Sequence, residues 1–184
     1  MKSSINDIRV DALDKLQAKV QYIRDEKIPG MWPGTTIRSP YARAEIKKIE
    51  LNPAFDWERV VVVTADDIPV NYVAIIEEDM PFLADKITQY IGEPVALIAA
   101  PDKELLAEAR NNINIEYAPL PALLDFKLSE NNGIRIFKEN NLFKEILIEK
   151  GNIEQAFSDA DEVVEIEVET GYQEQLYIEP QGII

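Results

Sequence analysis

Thr35 to Leu51, T-T-I-R-S-P-Y-A-R-A-E-I-K-K-I-E-L, reads as two strands around a turn at Ser39-Pro40. Pro29-Gly30 and Pro33-Gly34, just upstream, are turn signals that bracket the approach to the first strand. Downstream, Val60 to Val63 is a short apolar run expected to be a strand covered on both faces. Thr64-Ala65-Asp66-Asp67-Ile68-Pro69 follows as a capped turn, and residues 70–84 read as a loop with a strand-like patch at Tyr72 to Ile76. Gly92 and Pro94 set the next turn, before a buried strand over Val95 to Ala99. Pro101 and Asp102 start a helix with Leu106, Ala109 and Ile113 toward the core. Ile113, Ile115 and Tyr117 then alternate with Asn114 and Glu116, as a strand does, up to Pro119-Leu120-Pro121. Strand, helix and strand in that order suit one compact α+β unit.

The flanks are organised differently. Asn131-Asn132-Gly133 and Asn140-Asn141, with scattered charges, mark residues 127–150 as a linker; its few apolar residues suggest a chain laid over a surface. From Gly151 to Ile184, G-N-I-E-Q-A-F-S-D-A-D-E-V-V-E-I-E-V-E-T-G-Y-Q-E-Q-L-Y-I-E-P-Q-G-I-I, a capping-box spacing of Asn152 and Gln155 opens a short helix carrying Ala156 and Phe157. Val164, Ile166 and Val168 then alternate with Glu165, Glu167 and Glu169, and a second alternating run through Leu176 and Ile178 follows Gly171. Half-buried strands here need partner strands from elsewhere, so an interrupted domain is expected. At the other end, Ile5, Ile8, Leu13, Leu16, Val20 and Ile23 sit near helical spacing, which alone predicts an amphipathic helix.

Composition narrows the chemistry. With no Cys the chain forms no disulfide and ligates no iron–sulfur cluster; with no His it lacks the common acid–base group and the usual zinc, copper and non-haem iron ligands. An all-oxygen Mg²⁺ or Ca²⁺ site stays open, but no spacing of the EF-hand kind appears and no residue stands out as a metal ligand. A net charge of -15 argues against nucleic acid and anionic membrane surfaces as partners. No apolar run approaches the roughly 20 residues of a membrane helix, and the N-terminus has no signal-peptide h-region, so a cytoplasmic protein is expected. Charge is unevenly placed: Arg38, Arg43, Lys47 and Lys48 cluster early, and no Lys or Arg follows Lys150. The glutamates at 165, 167 and 169 read as a solvated strand face or, more sharply, as an edge meant for a basic neighbour.

Several blocks, in the same order, resemble the large subunit of the xanthine dehydrogenase and aldehyde oxidase family of molybdenum hydroxylases. Arg38, Ser39, Pro40, Ala42, Ala44, Ile46 and Ile49 match L-R-S-P-H-A-H-A-x-I-x-x-I-D, with Tyr41 and Arg43 in place of both His, so no role of those imidazoles is carried over. Thr64 to Pro69 resembles the end of V-x-T-A-x-D-I-P, and Tyr90 to Ala96 resembles Y-x-G-Q-P-V-A. Gly151, Ala156, Phe157, Ala160, Asp161, Val163, Val164 and Glu165 match G-D-x-x-x-A-F-x-x-A-D-x-V-V-E, and Gly171, Gln173, Glu174, Tyr177, Glu179 and Pro180 match G-x-Q-E-x-x-Y-x-E-P. Arg9 to Tyr22 resembles the extended lead-in R-x-D-x-x-x-K-V-T-G-x-A-x-Y, with Ala18 at the glycine. Between helix and extended chain for that segment, the resemblance favours extended.

The resemblance implies an α+β fold: an extended lead-in over 1–27, an α/β-hammerhead domain with a mixed sheet and a few short helices over 28–126, a linker over 127–150, and over 151–184 the first helix and strands of an incomplete molybdopterin-binding domain. It implies an oxidoreductase that hydroxylates a C–H bond of a purine-like heterocycle or an aldehyde with oxygen from water. Its partners would be the remaining molybdopterin-binding domains and iron–sulfur and FAD domains or subunits. This segment would act as scaffold, holding no cofactor alone and no catalytic residue, since the family's glutamate base lies further along. Gln173 is the implied cofactor contact, its amide donating to an oxygen ligand of the metal without a change of charge; the plainer reading is an amide satisfying a strand turn. Glu174 and Glu179 could form an acid–base pair, but structural hydrogen bonding is favoured; Arg38 and Arg43 could bind an anion, but paired surface charges are favoured. The alternative to the whole reading is a stand-alone hammerhead interaction or assembly module without catalysis.

Overall fold

The computed structural model describes residues 10–74, 77–130, 132–177, 179 and 181–184. The chain forms two units, one of Gly30–Ile148 and one of Met1–Pro29 with Glu149–Ile184.

In Gly30–Ile148 the two strands expected around Ser39-Pro40 form as β1 (Gly34–Arg38) and β2 (Ala44–Leu51). They do not pair with each other. β1 pairs with β7 (Pro94–Ala99), which also pairs with β3 (Val61–Val63), giving the order β1-β7-β3. β2 pairs with β6 (Ile87–Thr88) and β8 (Ile113–Pro119), giving β6-β2-β8. A hairpin of β4 (Tyr72–Ala74) and β5 (Glu78–Pro81) completes the unit. The Ser39–Arg43 turn is thus the corner at which the chain passes from one sheet to the other.

All these pairings are antiparallel, which corrects the expected mixed sheet. After the helix that follows β7, the chain does not return to β7's sheet: β8 joins β2's. β3 also departs from expectation: it is an edge strand, with Val61 50% exposed where cover on both faces was expected. Part of the patch expected at Tyr72 to Ile76 is β4, while residues 75 and 76 lie outside the described residues.

The helix after β7 forms as α2 (Lys103–Asn111), with Asp102 as N-cap accepting from the Leu105 N–H at 2.8 Å. Its Leu106 and Ala109 are buried; Leu106 packs with Ile98 and Ala100, flanked by Ile37, Val62 and Ile113. Burying each aliphatic side chain contributes about 1.5–3 kcal/mol, so this cluster is what holds α2 to its sheet. Thr64 and Asp67 form the expected capped turn, the Thr64 N–H and hydroxyl both donating to Asp67 Oδ2 at 2.7 and 3.0 Å.

The segment over 129–143 is knotted by one side chain. Asn141 Oδ1 accepts from the N–H groups of Ile136 (2.7 Å) and Phe137 (3.0 Å), and its Nδ2 donates to Ser129 O and Ile134 O, both at 2.7 Å. Its φ of 62° is a conformation that asparagine tolerates better than most residues.

In the other unit, the extended lead-in expected over 1–27 is replaced, within the described residues, by α1 (Ala12–Leu16) and a 3-10 turn at Ile23–Asp25. α1 ends in a Schellman motif: the Lys19 N–H reaches Asp14 O at 2.9 Å and the Ala18 N–H reaches Lys15 O at 3.2 Å. Ile5 and Ile8 lie outside the described residues. The capping-box helix forms as α3 (Ile153–Asp159), Asn152 Oδ1 accepting from the Gln155 N–H at 3.0 Å. Only half of the box is made, because the Gln155 side chain turns to Asp159 at 2.7 Å.

The alternating run after α3 is not a strand. Residues 160–177 carry no helix or strand, and Val164, Ile166 and Val168 are 77–78% exposed. Its amides need a neighbouring strand to form a ladder, and no strand of this unit is present among the described residues. Ile178, in the second run, lies outside them.

Candidate functional site

Two places bring sequence motifs together: the corner at Ser39 and the stretch around Gln173.

At the corner, blocks more than fifty residues apart interlock. The Ser39 N–H donates to Glu93 O (2.9 Å), the Gly92 N–H to Ser39 O (2.8 Å), and Arg38 Nη1 to Gly92 O (2.8 Å). Ser39 Oγ, in a residue only 2% exposed, shares a 3.0 Å hydrogen bond with Thr88 Oγ1 and accepts the Tyr41 N–H at 3.2 Å. Gly92 has φ +86°, the left-handed region that a Cβ disfavours, so glycine is required for this turn.

Arg43 acts as a clamp. Its Nε donates to Gln89 Oε1 (3.1 Å), Nη1 to Pro121 O (3.2 Å) and Nη2 to Arg135 O (3.4 Å). Both guanidiniums thus donate to carbonyl or amide oxygens, where pairing with surface charges was expected. Tyr41 packs against Tyr117 with the rings tilted at 55° and their centroids 5.3 Å apart. The Tyr117 hydroxyl is buried without a hydrogen-bond partner among the described residues; its burial, then the nearby Tyr41, holds it above the usual tyrosine range.

Glu93 is 4% exposed. Its carboxylate accepts the N–H of Gln89 and, more weakly, that of Tyr90, yet burial outweighs both and pushes its pKa up. Glycine and proline punctuation made this turn visible in the sequence. Neither the clamp nor the buried acid carried any signal there, because both depend on partners far along the chain.

Gln173 lies exposed in the irregular stretch 160–177. Next to it, Glu174 Oε1 accepts from the N–H groups of Gln175 (3.0 Å) and Leu176 (3.4 Å), a local backbone role, with Leu176 at φ 48°. Glu179 lines a cavity of about 580 Å³ with Ile23, Tyr177, Gln181 and Gly182. No hydrogen bond joins Glu174 and Glu179 among the described residues, and none of their His, Cys, Asp or Glu side chains groups into a metal cage.

Both places fall within stretches that match known protein families. Residues 17–121 match the sequence model of the aldehyde oxidase and xanthine dehydrogenase a/b hammerhead domain. The chain belongs to the aldehyde oxidase and xanthine dehydrogenase family. Residues 136–184 further match the molybdopterin cofactor-binding domain. A probable xanthine dehydrogenase subunit from Bacillus subtilis is 30% identical over 178 residues, 95% of this chain and 24% of that protein. A reconstituted CO dehydrogenase from Oligotropha carboxidovorans shares 32% identity and a TM-score of 0.60 over 68% of this chain and 16% of its own. The aldehyde oxidoreductase of Desulfovibrio desulfuricans, 19% identical, superposes with a TM-score of 0.70 over 83% of this chain and 19% of its own, which supports the shared fold. The chain thus spans about a quarter or less of the length of these relatives. No helix among the described residues is long and apolar enough to cross a membrane.

Proposed function

We propose that this chain is the scaffold part of a xanthine dehydrogenase-like molybdenum hydroxylase. Residues 28–126 are its hammerhead domain, 127–150 a connecting segment and 151–184 the start of the molybdopterin-binding domain. The supporting observation is that the hammerhead and molybdopterin-domain matches occur in this order along one chain. The complete enzyme hydroxylates a C–H bond of a purine-like heterocycle or an aldehyde with oxygen from water and passes the electrons to iron–sulfur and FAD domains or subunits. The bound molybdopterin supplies the redox and oxygen-transfer chemistry. Gln173 supplies an uncharged amide donor to it, and the exposed run 163–168 pairs with strands of the remaining cofactor domains.

The test belongs in the complete enzyme. With xanthine or an aldehyde as substrate, Gln173→Ala is expected to lower kcat about 10- to 100-fold at unchanged molybdenum content, the usual size of an effect from a group that orients a metal site from outside its ligands. Unchanged kcat overturns the role of Gln173. Failure of this chain to co-purify with molybdopterin-, iron–sulfur- and flavin-bearing parts overturns the scaffold reading.

A further inference from the structure

Within Gly30–Ile148, the β4–β5 hairpin, the 85–93 segment and the wall at residues 136–137 enclose a cavity of about 380 Å³, near the lower end of the size of small-molecule sites. Asp79, Asp85 and Glu93 line it, and no Lys or Arg does among the described residues. Glu93 is the informative one. It is 4% exposed, and its described partners are backbone N–H groups rather than a cation. A carboxylate taken out of water without a countercharge is costly, and a cation arriving in the cavity would relieve that cost.

The remaining wall selects the kind of cation. Tyr72, Tyr90 and Phe137 belong to the lining, and aromatic rings attract organic cations. Phe137 already has Lys138 Nζ over its ring, 5.0 Å from the centroid and held by Glu77 at 2.7 Å, which leaves Tyr72 and Tyr90 as the rings open to a ligand. A hard divalent ion fits poorly, because no carboxylates converge as a ligand group and much of the wall is apolar. A guanidinium, planar, weakly hydrated and able to stack on rings while donating to carboxylates, suits such a lining.

We propose that this cavity binds an alkylguanidinium cation between the buried Glu93 carboxylate and the aromatic wall. The test is calorimetric titration of the full chain with agmatine and, separately, with an acetylated and amidated Gly-Arg-Gly peptide; magnesium chloride serves as a control expected to show no binding. Saturable one-site binding of agmatine is expected, weakened about tenfold or more by Glu93→Gln and a few-fold by Tyr90→Ala. Asp79→Asn, on the exposed strand β5, is a second variant should Glu93→Gln disturb folding. Binding of agmatine alone identifies a free small cation as the ligand, and binding of the peptide as well identifies an arginine side chain of a partner. Absence of saturable binding in both arms, or affinity unmoved by both Glu93→Gln and Asp79→Asn, overturns the proposal.

Discussion

Ala18 occupies the C′ position of a Schellman motif at φ 53°, where glycine is the usual residue. The resemblance placed a glycine here, and the structure keeps the left-handed backbone with alanine. Ala18→Gly is expected to relieve about 0.5–1 kcal/mol of local strain, the cost of a left-handed Cβ less the extra freedom of glycine in the unfolded chain. Two- to fivefold slower hydrogen exchange at the Ala18 and Lys19 amides would register it; faster exchange would contradict it. Gly92→Ala works the other way, forcing a Cβ onto φ +86° at the corner, and is expected to cost about 1–2 kcal/mol in chemical denaturation. Glu93 sets a pH dependence. Its folded pKa is raised by burial, so the folded state binds the proton more tightly than the unfolded one. Stability contributed by this group therefore grows as pH falls through the raised value and levels off below the ordinary value of 4.5. Glu93→Gln should remove that increment, read as a flatter difference in unfolding free energy between pH 7 and pH 4; Asp79 and Asp85 share the cavity and are unchanged in the comparison.

Among the elements, those fixed by local chemistry were legible in the sequence. The Asp102 cap and its helix, the Thr64–Asp67 turn, and the strands on either side of Ser39-Pro40 form as their residues suggest. What escaped was non-local. β6 is two residues long and exists because Ala44 and Glu45 pair with it; β3 is an edge because no strand among the described residues pairs on its far side. The alternating run at 163–168 has a strand's pattern and no ladder, since pattern supplies a face and not a partner. Arg43 is the corresponding lesson for a side chain: its charge suggested a surface ion pair, while its fork joins the start of β2 to residues 89, 121 and 135. Arg43→Ala is expected to cost about 1.5–3 kcal/mol in denaturant unfolding, and Arg43→Lys to recover little of it, because one ammonium cannot span three oxygens. Full recovery by lysine would reduce Arg43 to a simple charge.

On the scale of the whole molecule, secondary structure concentrates in Gly30–Ile148, whereas the other unit carries Gln173 on exposed chain with Val163, Val164, Ile166 and Val168 open to solvent. Each of those side chains would gain about 1.5–3 kcal/mol on full burial, a substantial drive to pair with strands of a cofactor domain. If this chain is scaffold and contact, as proposed, it does not hold the cofactor by itself. Elemental analysis of the chain purified alone from a host that makes molybdopterin tests it most directly. Molybdenum far below one atom per chain is the predicted result; stoichiometric molybdenum would contradict the account.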